Sequence, residues 1–275
     1  MKKRWNRRTR LLALTVLLAL IVAAAFAAGL LISDEAVAPD FENTKLPPSW
    51  EHPFGTDWLG RDLLLRTLKG LSTSLTVGVA ASAVSAVAAV LIGIAAAAGS
   101  KWLDGFITWL IDLVMSVPHT VLIILVSFAC GRGLKGLLVG IAVTHWTSLA
   151  RLIRAEVFQL RSQQYIAVSR RLGKTGSWIL THHLLPHLLP QFLVGLILML
   201  PHAILHEASI SFLGYGLPPE QPAIGIILSE SMKYLSAGIW WPAVFPGLVL
   251  LLVVLLVDRL GDNLKALLDP YSAQE

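Results

Sequence analysis

The residues of this chain that could do chemistry are few and stand in unusual places. Asp112, His145, His202, His206 and Glu207 fall in or beside long apolar runs. Ionisable groups there are costly and ordinarily face a cavity or a partner. His202 and His206 are four residues apart, so on a helix their imidazoles share one face, with Glu207 about 100° further round. Imidazole suits nickel and similar borderline cations, and a transport site must hold them loosely enough to let go. One reading therefore has His202 and His206 lining a solute pathway and assisting a metal or metal-chelate cargo. The plainer reading is that both hydrogen-bond to neighbouring helices. Asp112 divides in the same way, between a structural partner and a place on the pathway, while Glu207 lies near enough to the two histidines to border the same cavity.

Other patterns fail on spacing. His206-Glu207 would need a histidine at 210 to make the HExxH of a zinc protease, and that residue is Ile210. Gly173-Lys174-Thr175 resembles the tail of a phosphate-binding loop, but the required glycine five residues earlier is Val168. The sequence thus carries no Walker A ATP site. His182, His183 and His187 form a polar cluster that reads as surface rather than as a metal site. The single Cys130 has no internal disulfide partner. No nucleophile–base or metal constellation for an enzyme assembles.

The elements that must carry these residues follow from composition. Of 275 residues 55% are hydrophobic and 14% charged, with a mean hydropathy of +0.70. Soluble domains are about one quarter charged. Apolar residues come in blocks of about 20, enough to cross roughly 30 Å of hydrocarbon as helix. Six spans are expected, near 11–32, 73–99, 105–130, 134–150, 190–213 and 241–261. None alternates as barrel strands do, so the fold class is an all-α polytopic membrane protein. The first span follows "MKKRWNRRTR" and reads as an uncleaved anchor, its apolar run being longer than a signal peptide's. Pro118 should kink the third. "GVAASAVSAVAAVLIGIAAAAG" in the second and "GLLVG" (136–140) in the fourth suit close helix packing.

Orientation comes from Lys and Arg. Segments 1–10, 99–104, 151–190 and 259–275 hold 15 of the 22, which places them and both termini in the cytoplasm. That bias explains the pI near 9.5 without nucleic acid. Asp258-Arg259 reads as an interfacial pair. Between the first two spans, the acidic, Pro-rich start of "SDEAVAPDFENTKLPPSWEHPFGTDWLGRDLL" reads as an extracytoplasmic linker. In its more ordered end, Thr56 or Asp57 is expected to cap a short helix and Arg61 to pair with Asp62. In the cytoplasmic stretch 163–186, "SQQYIAVSRRLG" predicts a short amphipathic helix with Tyr165, Ile166, Val168 and Leu172 available for packing, ended by Gly173. Ser177 should start a second helix that stops before Pro186. Such a knob, carrying Arg170, Arg171 and Lys174, is either a solvated connector, a basic patch on anionic lipid, or a protein docking site. Its compact, glycine-bent form favours docking.

Here the sequence resembles a known family. "YIAVSRRLG…I…HHLLPHLLPQ" is similar to the EAA loop of binding-protein-dependent ABC importer permeases. "HPFGTDWLGRDLLLR" (52–66), "ISFLGYGLPPE" (210–220) and "FPGLVLLLVVLLVDRLGDNLKALLDP" (245–270) resemble the dipeptide/oligopeptide/nickel branch. There are two departures: the EAA triplet is Ala167-Val168-Ser169, without its glutamate, and the usual Trp-Gly after Pro219 is Ile224-Gly225.

The resemblance implies a type I ABC importer permease architecture, with an N-terminal anchor and loop (1–72) and a five-helix core (73–275). Tyr165, Ile166, Ala167, Val168, Ser169, Leu172 and Gly173 would couple the chain to an ATPase. It further implies a homologous second permease subunit, two ATPase subunits carrying ATP and magnesium, an extracytoplasmic binding protein, and a prokaryotic inner membrane. The cargo would be a di- or oligopeptide, nickel or a metal chelate; "LHEASISFLG" is similar to nickel-type relatives in carrying His206. A stand-alone proton-coupled transporter is the alternative, but it predicts paired broken helices or internal symmetry, which the sequence does not display.

Overall fold

The computed structural model describes residues 7–268. The extreme basic start 1–6 and the tail 269–275, both assigned above to the cytoplasm, lie outside the described residues, as do the last two residues of the 245–270 match. Among the described residues the architecture is helical: α1 (Arg7–Leu31), α2 (Leu63–Ala98), α3 (Lys101–Ser116), α4 (His119–Ala129), α5 (Leu134–Arg161), α6 (Gln164–Arg171), α7 (Gly176–Ile179), α8 (Leu185–Phe212), α9 (Ile224–Leu235) and α10 (Trp241–Leu268).

Five helical segments are long and apolar enough to cross a membrane, and α3 with α4, counted together, makes a sixth. That third span is broken outright, with a bend of 100°. Pro118 has no N–H to continue the helix and holds Val117 extended, at φ −89° and ψ 138°. The expected kink is therefore a corner. α2 starts at Leu63 and runs unbroken through 72–73, where the core was expected to begin. Its 36 residues make a rod about 54 Å long.

Small residues set the closest approaches. α2 packs on α5 at Gly93, where an added Cβ would lie 2.8 Å from the Ala150 carbonyl oxygen. The 136–140 glycines do the same for α4 against α5. A Cβ on Gly136 would stand 2.4 Å from the Ser127 carbonyl oxygen and one on Gly140 2.9 Å from that of Ile123. Two ion pairs fasten α3 along α5: Asp104 with Arg154 and Asp112 with Arg151, each at 2.5 Å. Arg161 donates to the Ala97 carbonyl, satisfying an orphan acceptor at the end of α2.

The 52–66 motif departs from expectation. No helix starts at Thr56 or Asp57; 57–60 is a turn, and Gly60 takes φ +77° with the Asp40 carbonyl pressed against it. Asp62 does not pair with Arg61. It caps α2 by accepting from the Leu65 N–H at 3.0 Å and bonds His52 at 2.7 Å. Arg61 pairs instead with Asp57 at 2.6 Å. The fully buried Asp57 carboxylate also takes Arg66 at 3.0 Å, and Arg66 reaches Glu230 of α9 at 2.5 Å. Two carboxylates around two guanidiniums clasp this loop to α9.

Candidate functional site

Two regions concern function. The first is the knob at 163–186. Ile166 is fully buried, in one cluster with Val157 and Leu160 of α5 and Leu188 of α8. Tyr165, Val168 and Leu172 face outward, 44%, 54% and 72% exposed. Ala167 is also exposed, and Ser169 is half-buried, its hydroxyl 3.1 Å from His183 Nε2. Gly173 ends α6 as expected, at φ +79°. Its N–H donates to the Arg170 carbonyl and that of Lys174 to the Ser169 carbonyl, the Schellman pattern that only a left-handed residue allows.

Beyond it, two expectations are corrected. The cap of α7 is Thr175, whose hydroxyl accepts from the Trp178 N–H, rather than Ser177. The helix also does not stop before Pro186. It widens into a π turn over Leu180–Leu184 and continues as α8. A proline ring clashes with the carbonyl four residues back, and a wider turn draws that carbonyl out of the way. The second half of the knob and the span are thus one helical body from Gly176 to Phe212.

The second region is a cavity of about 670 Å³ at the α3–α4 corner. His119 enters from α4, His145 from α5, and His202 and His206 from α8, with Met115 and Met199 beside them. The rings of His119, His145 and His206 stand in a near-equilateral triangle, their centroids 4.6, 4.8 and 5.2 Å apart. Of the four residues expected on a pathway, His202 and His206 line this cavity. Asp112 lies outside it, paired with Arg151, and Glu207 is completely buried, accepting from the Ser211 hydroxyl at 2.9 Å. His182, His183 and His187 stay apart from it: His182 stacks on Trp178 and His187 lies 3.3 Å from Glu156. Sequence reasoning missed His119. The available signal was its place directly after the proline expected to bend the span.

An all-helical membrane protein with a short helix pair joined to its spans, and a polar cavity among them, has the form of a transport permease. Residues 89–269 match the family described as "Binding-protein-dependent transport system inner membrane component", and the chain belongs to that family. It is 36% identical over 260 residues to a Brucella abortus protein described as a peptide transport system permease, covering 94% of this chain and 87% of that one. To the dipeptide transport system permease protein DppC of Bacillus subtilis it is 33% identical over 225 residues, covering 82% and 70%. Among solved structures, the inward-facing MetNI methionine ABC transporter matches with a TM-score of 0.62 over 75% of this chain and 98% of that chain. At 17% identity that match speaks for the fold alone. The family sets aside the stand-alone secondary transporter.

Proposed function

We propose that this chain is one permease subunit of an ATP-driven peptide importer of the inner membrane, with both termini in the cytoplasm. It lines half the path together with a homologous permease; two ATPase subunits hold the ATP and magnesium, and an extracytoplasmic protein delivers the cargo. The chain itself supplies no nucleotide site. Peptide is favoured as cargo by the relatives named above.

The observation that carries the reading is the construction of the knob. Tyr165, Val168 and Leu172 offer apolar surface at the end of a segment otherwise wet and basic, while Ile166 anchors it to α5 and α8. An exposed apolar face on a rigid support is what a partner's groove requires. ATP-driven closure of the ATPases then moves α6 and α7, and with them α8, as a rigid body between inward- and outward-facing states.

Gly173→Pro tests this directly. Proline cannot adopt φ +79° and removes the N–H that bonds Arg170. Membrane insertion is expected to persist while peptide uptake and substrate-stimulated ATP hydrolysis by the assembled complex both collapse. Normal uptake by the inserted variant would overturn the docking role.

A further inference from the structure

The structure holds three imidazoles from three different helices around one point, inside a membrane-spanning bundle, where such groups are expensive to keep. One ring nitrogen from each of His119, His145 and His206 lies within 4.8 Å of the others. His145 shows how such a set is oriented. Its Nδ1 lies 3.0 Å from the Ile141 carbonyl oxygen, which can only accept, so Nδ1 carries the proton; His119 Nε2 stands 3.3 Å from the same atom. Nε2 is then the basic nitrogen, and it is buried with no hydrogen-bond partner. An imidazole that donates one N–H to a backbone carbonyl and leaves its other nitrogen bare is the arrangement found in metal-ligating histidines.

From these contacts we propose that His119, His145 and His206 form a transient binding site for a borderline divalent transition cation on the translocation path. The ion's class follows from the donors: three neutral imidazoles, without a carboxylate, select nickel-, zinc- or copper-type ions over magnesium or calcium. Tetrahedral ligation at about 2.1 Å separates ligand nitrogens by about 3.4 Å, so modest ring rotations close the triangle. The fourth position faces the open cavity, where His202 and the thioethers of Met115 and Met199 stand. A carried molecule can supply that ligand. Resting on the importer reading above, the inference refines its cargo to small peptides or chelates that hold such a cation.

The test uses the full-length chain assembled with its partners in nanodiscs, without a polyhistidine tag, titrated with Co²⁺ alone. Wild type is expected to bind one saturable Co²⁺ per chain with a visible d–d band of tetrahedral intensity. His145→Ala/His206→Ala should lower affinity roughly tenfold or more, whereas His187→Gln, at the surface cluster, should leave it unchanged. A wild type with no such band overturns the proposal, and this result needs no substitution to fold. Unchanged binding by the double variant also overturns it. Peptide uptake by the same complex is scored separately: its absence beside intact Co²⁺ binding counts against the peptide reading and leaves the metal site standing.

Discussion

At the residue scale, the loop before α2 depends on Asp57. Its carboxylate is fully buried and shared by Arg61 and Arg66, the latter only 3% exposed. Removing one member of a buried ionic set leaves the others uncompensated, at a cost of about 3–5 kcal/mol. Asp57→Ala is accordingly expected to lower the melting temperature of the detergent-purified chain sharply, and Asp57→Asn, which keeps one acceptor, to do so less. Equal melting of both variants and wild type would show that the clasp contributes nothing. Ala167 offers the opposite case. Its side chain is exposed on α6, so a glutamate there meets no clash within this chain. Ala167→Glu should leave uptake and assembly unchanged or slightly improved, and loss of co-purification with the ATPases would show a groove that has diverged from one accepting glutamate.

At the element scale, the contact of α4 with α5 rests on the absence of side chains at Gly136 and Gly140. A Cβ at Gly140 would meet backbone, the Ile123 carbonyl, which cannot swing away as a side chain can. Overpacking of this kind costs about 1–3 kcal/mol, so Gly140→Val should destabilise by that order in thermal melts. The π turn makes a second prediction. Deleting Thr181 would tighten that turn and rotate the knob by about 100° relative to α8. Insertion should survive and uptake should not.

Much at this scale was legible in the sequence. Hydropathy gave the spans, and Gly173 gave the stop of α6, because both signals are local. Pro186 was misread as a stop, since the register change that rescues it involves no distinctive residue type. Arg61 and Asp62 were misread as partners because sequence proximity says nothing of Arg66 and Glu230, which are brought together only by folding.

For the whole molecule, the first helix of the knob and its glycine stop belonged to the legible part and the cavity did not. Helical spacing placed His202 and His206 on one face, but Asp112 and Glu207, equally conspicuous in the sequence, turned out to serve an exposed ion pair and a buried hydroxyl. His119 joins the site because a proline folds its span back by 100°, a distance effect invisible in spacing.

The continuity of α7 with α8 has a mechanical consequence. His206 belongs to the helix continuous with α7, whereas His119 and His145 belong to α4 and α5. On the proposed stroke, a tilt of α8 against α4 and α5 would withdraw one donor and leave two, so denticity itself would change. A cation held by three nitrogens in one state of that proposed cycle would be offered only two in the other, and hand-over would follow from geometry rather than from a competing ligand.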